Sequence, residues 1–237
     1  MKKQVIIVFL SVCLWSCSKK IGLSGEIINQ KKQLVSYESV VNNSSASIEL
    51  DTSVAPNELL VTGDKSLVEN LLIENKGSLL SISNKESISY QGEKAPLIIK
   101  MNNPHLQKMV IAGSGSIATN NITLTNDIEF HISGAGEVNV KLFNNNTAVF
   151  VTGAGDIRLR GVSNELKANM SGAGNLIAED LTNKLSDIEI SGAGNAKVNS
   201  SEEINIKISG VGNLDYKNHK GLKIKQKVSG IGSVNPY

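Results

Sequence analysis

The tetrapeptide Ser-Gly-Ala-Gly occurs at 133–136, 171–174 and 191–194, with Thr-Gly-Ala-Gly at 152–155. Gly-rich turns cradle phosphate when a strand leads in and a helix follows, its N-terminus facing the anion. Here a second alternating segment follows each turn and no Gly-Lys-Ser/Thr ending occurs, so the pattern argues for corners rather than a phosphate loop. Gly-Ala-Gly-Asp at 153–156 is close to a calcium-binding repeat, but that motif needs a nine-residue period and recurring Asp. The positions equivalent to Asp156 are Glu137, Asn175, Asn195, Asn213 and Ser233, a poor set of cation ligands. His105, His131 and His219 are far apart and lack metal-ligand spacing, so neither a metal nor another cofactor is expected. One constellation with catalytic potential remains. Glu137 and Asp156 hold equivalent positions in successive repeats, and Arg158 projects on the same side as Asp156. Grouped carboxylates with a basic residue can cleave acidic polysaccharides, yet a solvated face normally supplies the same trio. The repeats also differ by only a few residues in length, which leaves no room for long catalytic loops.

The elements that carry these residues recur with a period. Gly-x-Gly pairs stand at Gly113 and Gly115, Gly134 and Gly136, Gly153 and Gly155, Gly172 and Gly174, Gly192 and Gly194, Gly210 and Gly212, and Gly230 and Gly232. Their spacings run from 18 to 21 residues. An alternating segment such as Ile-Glu-Phe-His-Ile or Ile-Asn-Ile-Lys-Ile precedes each pair, a period-two signal with one buried face. A repeat of about twenty residues built this way is one coil of a β-solenoid. The expected fold class is all-β, a parallel β-helix with the glycines at its corners, where they permit positive φ and close approach between coils. Ile132, Ile190 and Ile208 should stack inside, beside Val151, Met170 and Val228. Asn175, Asn195 and Asn213 should form a hydrogen-bonded ladder outside. Polar runs rich in Asn close the other side of each coil.

The N-terminus bears on location. Lys2 and Lys3 precede a short apolar run over 5–14, too short to be a convincing membrane span and typical of a secretory signal. Leu14-Trp15-Ser16-Cys17 resembles the lipobox of bacterial lipoproteins, which implies diacylglyceryl attachment to Cys17 and a signal peptide over 1–16. Cys13 leaves with that signal, so no disulfide can form and packing must hold the fold. Loss of Lys2 and Lys3 takes the formal charge from +2 to about zero, which argues against a nucleic-acid partner. The polar stretch 17–36 reads as a flexible tether.

Residues 37–237 read as one continuous domain. Its first half suggests strands, a helical turn over 66–71 and a turn at Asn75-Lys76-Gly77, and should cap the N-terminal end of the stack. The segments around 58–83 and 97–117, the latter with Asn103-Pro104-His105-Leu106-Gln107-Lys108-Met109-Val110-Ile111-Ala112-Gly113-Ser114-Gly115-Ser116, resemble the putative auto-transporter adhesin, head GIN domain family. So do the Ser-Gly-x-Gly repeats that follow. The resemblance covers 37–237 and implies a right-handed β-helix-like fold and an exported lipoprotein of the Bacteroidetes type. It implies no particular activity.

The expected function is a lipid-anchored, non-catalytic interaction or adhesion module of the cell envelope, at the outer membrane. Its expected partners are the membrane, through the N-terminal lipid, and an envelope protein or surface glycan. A polysaccharide-active enzyme and a structural periplasmic lipoprotein are the alternatives.

Overall fold

The computed structural model describes residues 19–86, 88–90 and 95–237. Its central feature is a set of long strands that each run along one wall of a coil, bend, and continue along the next. Glu137–Val151, Asp156–Met170, Leu176–Ile190 and Ala196–Ile208 stack in parallel, with equivalent residues opposite one another except where the register shifts at 158–160, 178–182 and 183–185. The result is a β-solenoid of about six turns. Alternation in the sequence decides which side chains enter the core. One inward row runs Phe130, Val149, Ala168, Ile188, Ile206, and another Ile132, Val151, Met170, Ile190, Ile208. All ten are buried. Full burial of each large aliphatic or aromatic side chain stabilises by about 1.5–3 kcal/mol, so the rows together supply the main driving force. Val228 continues the second row but is exposed, because no coil among the described residues lies beyond it.

The corners are held by backbone. From the second Gly-x-Gly onward, the middle N–H donates to the first glycine's carbonyl one coil earlier: Ala154 to Gly134 at 3.0 Å, Ala173 to Gly153 at 2.9 Å and Ala193 to Gly172 at 2.9 Å. None of the fourteen corner glycines has positive φ, so the expected conformational reason for them does not hold. Close approach alone requires them. A Cβ on Gly134 would sit 1.9 Å from the Gly113 carbonyl oxygen. The corner below the first Gly-x-Gly, at 43–46, escapes the repeat pattern because it has no Gly-x-Gly. There the buried Asn42 turns the chain with its side chain, donating to the Ala46 carbonyl at 2.8 Å and accepting from the Ser44 hydroxyl at 2.7 Å.

The first half of the chain does not stack in sequence order. Ser39–Asn42 and Ser47–Leu50 lie directly below Lys108–Ile111 and Ser116–Thr119. Leu79–Asn84 and Leu97–Met101 lie below those in turn. Antiparallel strands then close the end: Leu71–Lys76 on Leu79–Asn84, Glu58–Asp64 on Leu97–Met101, and Ile27–Gln33 on Glu58–Asp64. The helix Lys65–Asn70 lies where a helical turn was expected, its N-terminus capped by the Asp64 carboxylate, which accepts from Ser66 N–H at 2.9 Å. The capping role expected of this half is therefore observed. The flexible tether expected over 17–36 is instead largely structured: Lys19–Ile21 pairs with Ile88–Tyr90, and Ile27–Gln33 is a second strand. Its side chains are mostly exposed and polar, so backbone bonding to Glu58–Asp64 holds it rather than an apolar face that the sequence could display.

Asp51 ties the long excursion over 51–107 to the coil above. It accepts from Ser53 N–H at 2.8 Å and Asn121 Nδ2 at 3.1 Å, with Lys100 Nζ 3.5 Å away. Hydrogen bonding to the charged form, from the Ser53 N–H above all, holds this carboxyl down at about 2. A depressed carboxyl stabilises the fold fully above its unfolded value of about 4, and that contribution fades as pH falls toward 2. Asp51→Asn is therefore expected to lower the urea midpoint at pH 7, with a gap to wild type that narrows at pH 3.

Candidate interaction surfaces

Stacking in register converts each outward position into a row along the solenoid. At the glycine corner three rows run side by side. The first is Ser133, Thr152, Ser171, Ser191, Ser209 and Ser229; the second is Ala135, Ala154, Ala173, Ala193, Val211 and Ile231. Both are exposed throughout. The third contains the expected asparagine ladder and lengthens it at both ends. Asn175 Nδ2 donates to Asp156 Oδ1 at 2.9 Å, Asn195 Nδ2 to Asn175 Oδ1 at 3.1 Å, Asn213 N–H to Asn195 Oδ1 at 3.0 Å, and Ser233 Oγ to Asn213 Oδ1 at 2.8 Å. With coils ~4.8 Å apart, these short side chains make a continuous strip with no deep indentation.

The ladder accounts for the residues that could have done chemistry. Glu137 and Asp156 do stand opposite one another, and Arg158 lies one row over, opposite Asn139. Asp156, however, accepts both the backbone and the side-chain N–H of Asn175, so it starts the ladder. The amide oxygens at the candidate calcium row are turned to the next coil's donors in the same way. His131 stacks on Phe150, with ring centroids 4.6 Å apart, and its Nε2 lies 3.0 Å from Glu129 Oε2. That contact draws the Glu129 carboxyl below its ordinary value. His219 Nε2 meets Asn199 Oδ1 at 2.7 Å, and His105 Nδ1 lies 3.4 Å from Thr125 Oγ1. The structure brings none of the three histidines together. Among the described residues no group of three or more His, Cys, Asp and Glu is placed to hold a metal ion. Cys17 and the signal segment lie outside the described residues. No described helix is long and apolar enough to cross a membrane.

At the corner opposite the glycines the polar runs turn partly inward. Thr147, Ser163, Asn183, Ser186 and Ser200 are buried there. Most of their polar atoms satisfy one another, with Thr147 and Ser163 hydroxyls 3.1 Å apart, those of Ser186 and Ser200 2.6 Å apart, and Asn183 Nδ2 2.9 Å from Ser200 Oγ, while Asn183 Oδ1 has no partner. Such a network fixes the bend of each coil, since a buried polar group without a partner costs about 1–3 kcal/mol. At the capped end a groove of about 680 Å³ runs between Ile27–Gln33 and the helix, lined by Ile28, Val68, Leu72 and Ile73 with Lys31, Lys32 and Lys85 at its margins.

Sequence reasoning passed over the far end of the stack. Val211 and Ile231 are 56% and 78% exposed, and Lys223–Val228 shows solvent at every position. The signal was available in Lys-Ile-Lys-Gln-Lys-Val, whose alternation carries lysine at every other residue.

These features define a class: a repeat solenoid that offers ordered surface rows. The chain belongs to the family described as putative auto-transporter adhesin, head GIN domain, whose model matches residues 36–219. That relation associates it with the cell envelope and an adhesion-like role. Among solved structures it is similar to a putative adhesin from Bacteroides fragilis, with a TM-score of 0.81 and 22% identity over 92% of this chain and 100% of that one. A putative lipid binding protein from Parabacteroides distasonis has a TM-score of 0.70 at 22% identity, with the same coverage. A putative adhesin from Parabacteroides merdae has 0.68 at 18%, over 93% of this chain and 100% of that one. At these identities the likeness is one of fold. No curated protein matches the chain.

Proposed function

We propose that this protein is an exported, lipid-anchored and non-catalytic interaction module of the cell envelope. One observation carries the reading. At the glycine corner the outer surface consists of rows of mostly short side chains stacked coil on coil, with the side-chain ladder running from Asp156 to Ser233. Extended repeat surfaces of this kind bind by complementary shape over many coils rather than by enclosing a substrate. The lipobox-like Leu14-Trp15-Ser16-Cys17 and the family relation support placement in the envelope. In this reading Cys17 holds the chain at the membrane and the solenoid is presented to a partner. Cys17→Ser should move the protein from the membrane fraction of its native cells to the soluble fraction. Protease added to intact cells should degrade the wild-type protein. A Cys17→Ser protein that remains in the membrane fraction refutes the anchor, and full protection from protease replaces outward adhesion by a periplasmic role.

A further inference from the structure

The two ends of the solenoid are finished differently. Antiparallel strands and a helix lie over the outermost coil at the N-terminal end. At the other end, among the described residues, Lys223–Val228 pairs only with 203–208, and Val234–Pro236 only with Leu214–Tyr216. The row of backbone donors and acceptors on their far side is open. The inward side chains there lack a cover as well: Ile224 and Val228 are 37% and 41% exposed, while Ile204 and Ile208, opposite them one coil earlier, are fully buried. A strand edge of this kind is a template for another strand unless something covers it.

Charge says what kind of strand would fit. From 214 to 237 there are five lysines, Lys217, Lys220, Lys223, Lys225 and Lys227, against one acid, Asp215, a net of +4. Other lysines of the solenoid take a carboxylate from the coil before, as Lys197 does from Glu179 and Lys225 from Glu203, both at 2.8 Å, and Lys207 from Glu189. Lys227 has Lys207 opposite it instead. Like charges directly opposed on neighbouring strands are destabilising, and an acid arriving on the open side would relieve this pair.

We propose that the C-terminal coil is an acceptor for an acidic β-strand of a partner protein, which adds to the stack as its next rung. The inference rests on the interaction-module reading and names the surface and the partner chemistry for it. The chain itself contains a strand of the complementary kind two rungs earlier. Asp187 shares a row with Asn205 and Lys225, and Glu189 shares one with Lys207 and Lys227. Ile190 shares the row of Val228. A strand of that pattern laid on the open edge would set Asp on Lys225, Glu on Lys227 and Ile on Val228, and would fill the backbone ladder. Such strand addition is a general mode of recognition, with main-chain bonds supplying affinity and alternate side chains specificity. A second copy fits less well. The outer strand at the opposite end carries Lys31 and Lys32, and two C-terminal ends set face to face would oppose lysine to lysine. An anionic membrane would suit the lysines but leave the open backbone groups without partners wherever Ile224 and Val228 entered the hydrocarbon.

The probe is a labelled synthetic peptide with the sequence of residues 185–191, Leu-Ser-Asp-Ile-Glu-Ile-Ser, titrated into the whole folded protein. Saturable binding is expected, with amide exchange slowed within 223–236. Lys227→Glu should weaken it about tenfold or more while leaving thermal unfolding intact, and a peptide with Lys in place of its Glu should recover affinity for that variant. Several results overturn the proposal: no binding, protection confined to other coils, or equal binding by Lys227→Glu. So do binding to pure phosphatidylglycerol vesicles in place of the peptide, and a concentration-dependent dimer that protects 223–236. Failure of the peptide with continued protease exposure on intact cells removes the edge assignment and leaves the interaction module standing. Protease protection with intact peptide binding moves the partner to the periplasm and keeps the edge.

Discussion

Gly172→Val is expected to leave no stable fold at 25 °C. A Cβ at this position would lie 2.0 Å from the Gly153 carbonyl oxygen and 2.7 Å from the Thr152 carbonyl carbon and oxygen. Every atom in conflict belongs to backbone, so no rotamer change on either side gives relief. The coils would have to separate at this corner. That separation would stretch the Ala173-to-Gly153 bond and, through it, the Ala193-to-Gly172 bond above. Overpacking ordinarily costs about 1–3 kcal/mol, when side chains can yield. Here a loss above about 4 kcal/mol is expected, comparable to the whole net stability of many domains. Ala173→Ser, at the exposed middle position of the same corner, is the control and should change stability by less than about 0.5 kcal/mol. Circular dichroism with urea titration reads both. A cooperative transition at the wild-type midpoint for Gly172→Val would show that coil spacing is not set by the glycine contacts.

Phe130→Ala should be the most damaging single truncation in the core. Phe130 is fully buried, the largest side chain in its inward row, and stands against Val149 one coil on. The stack cannot close around the vacated volume, because strand spacing is set by backbone bonds on both sides of that row. Loss of burial plus the cavity amounts to about 3–5 kcal/mol. Phe143→Ala removes the same atoms from a side chain that is 66% exposed at the opposite corner, and should stay within about 0.5 kcal/mol of wild type. Urea midpoints at constant slope make the comparison. Equal losses for the two substitutions would mean that the inward rows are not the source of stability.

The contrast between these two phenylalanines was already visible in alternation, as was the ladder of asparagines. Both are local facts repeated at a fixed interval. When a twenty-residue unit recurs, the neighbour of each residue is its own counterpart, so the row it will join can be read along the chain. The glycines were legible as corners for the same reason, though not the physical need for them. Positive φ is a property of one residue, whereas the contact between Gly134 and the Gly113 carbonyl exists only once two coils are stacked.

The N-terminal half obeyed no such rule. Residues 39–50 stack on 108–119, across more than fifty intervening residues, and the coil made by 79–101 lies beyond them. Parallel and antiparallel pairing over that range is specified by backbone bonds common to all residues, so nothing in the local pattern marks the partner. Ile27–Gln33 reads as a tether in sequence because its strand character lies in those bonds alone. The far end shows the same division. Sequence determined by itself that Ile224 and Val228 point inward and that lysines point out. Tertiary structure decided that no coil among the described residues covers them, and burial in a solenoid belongs to the neighbouring rung as much as to the residue.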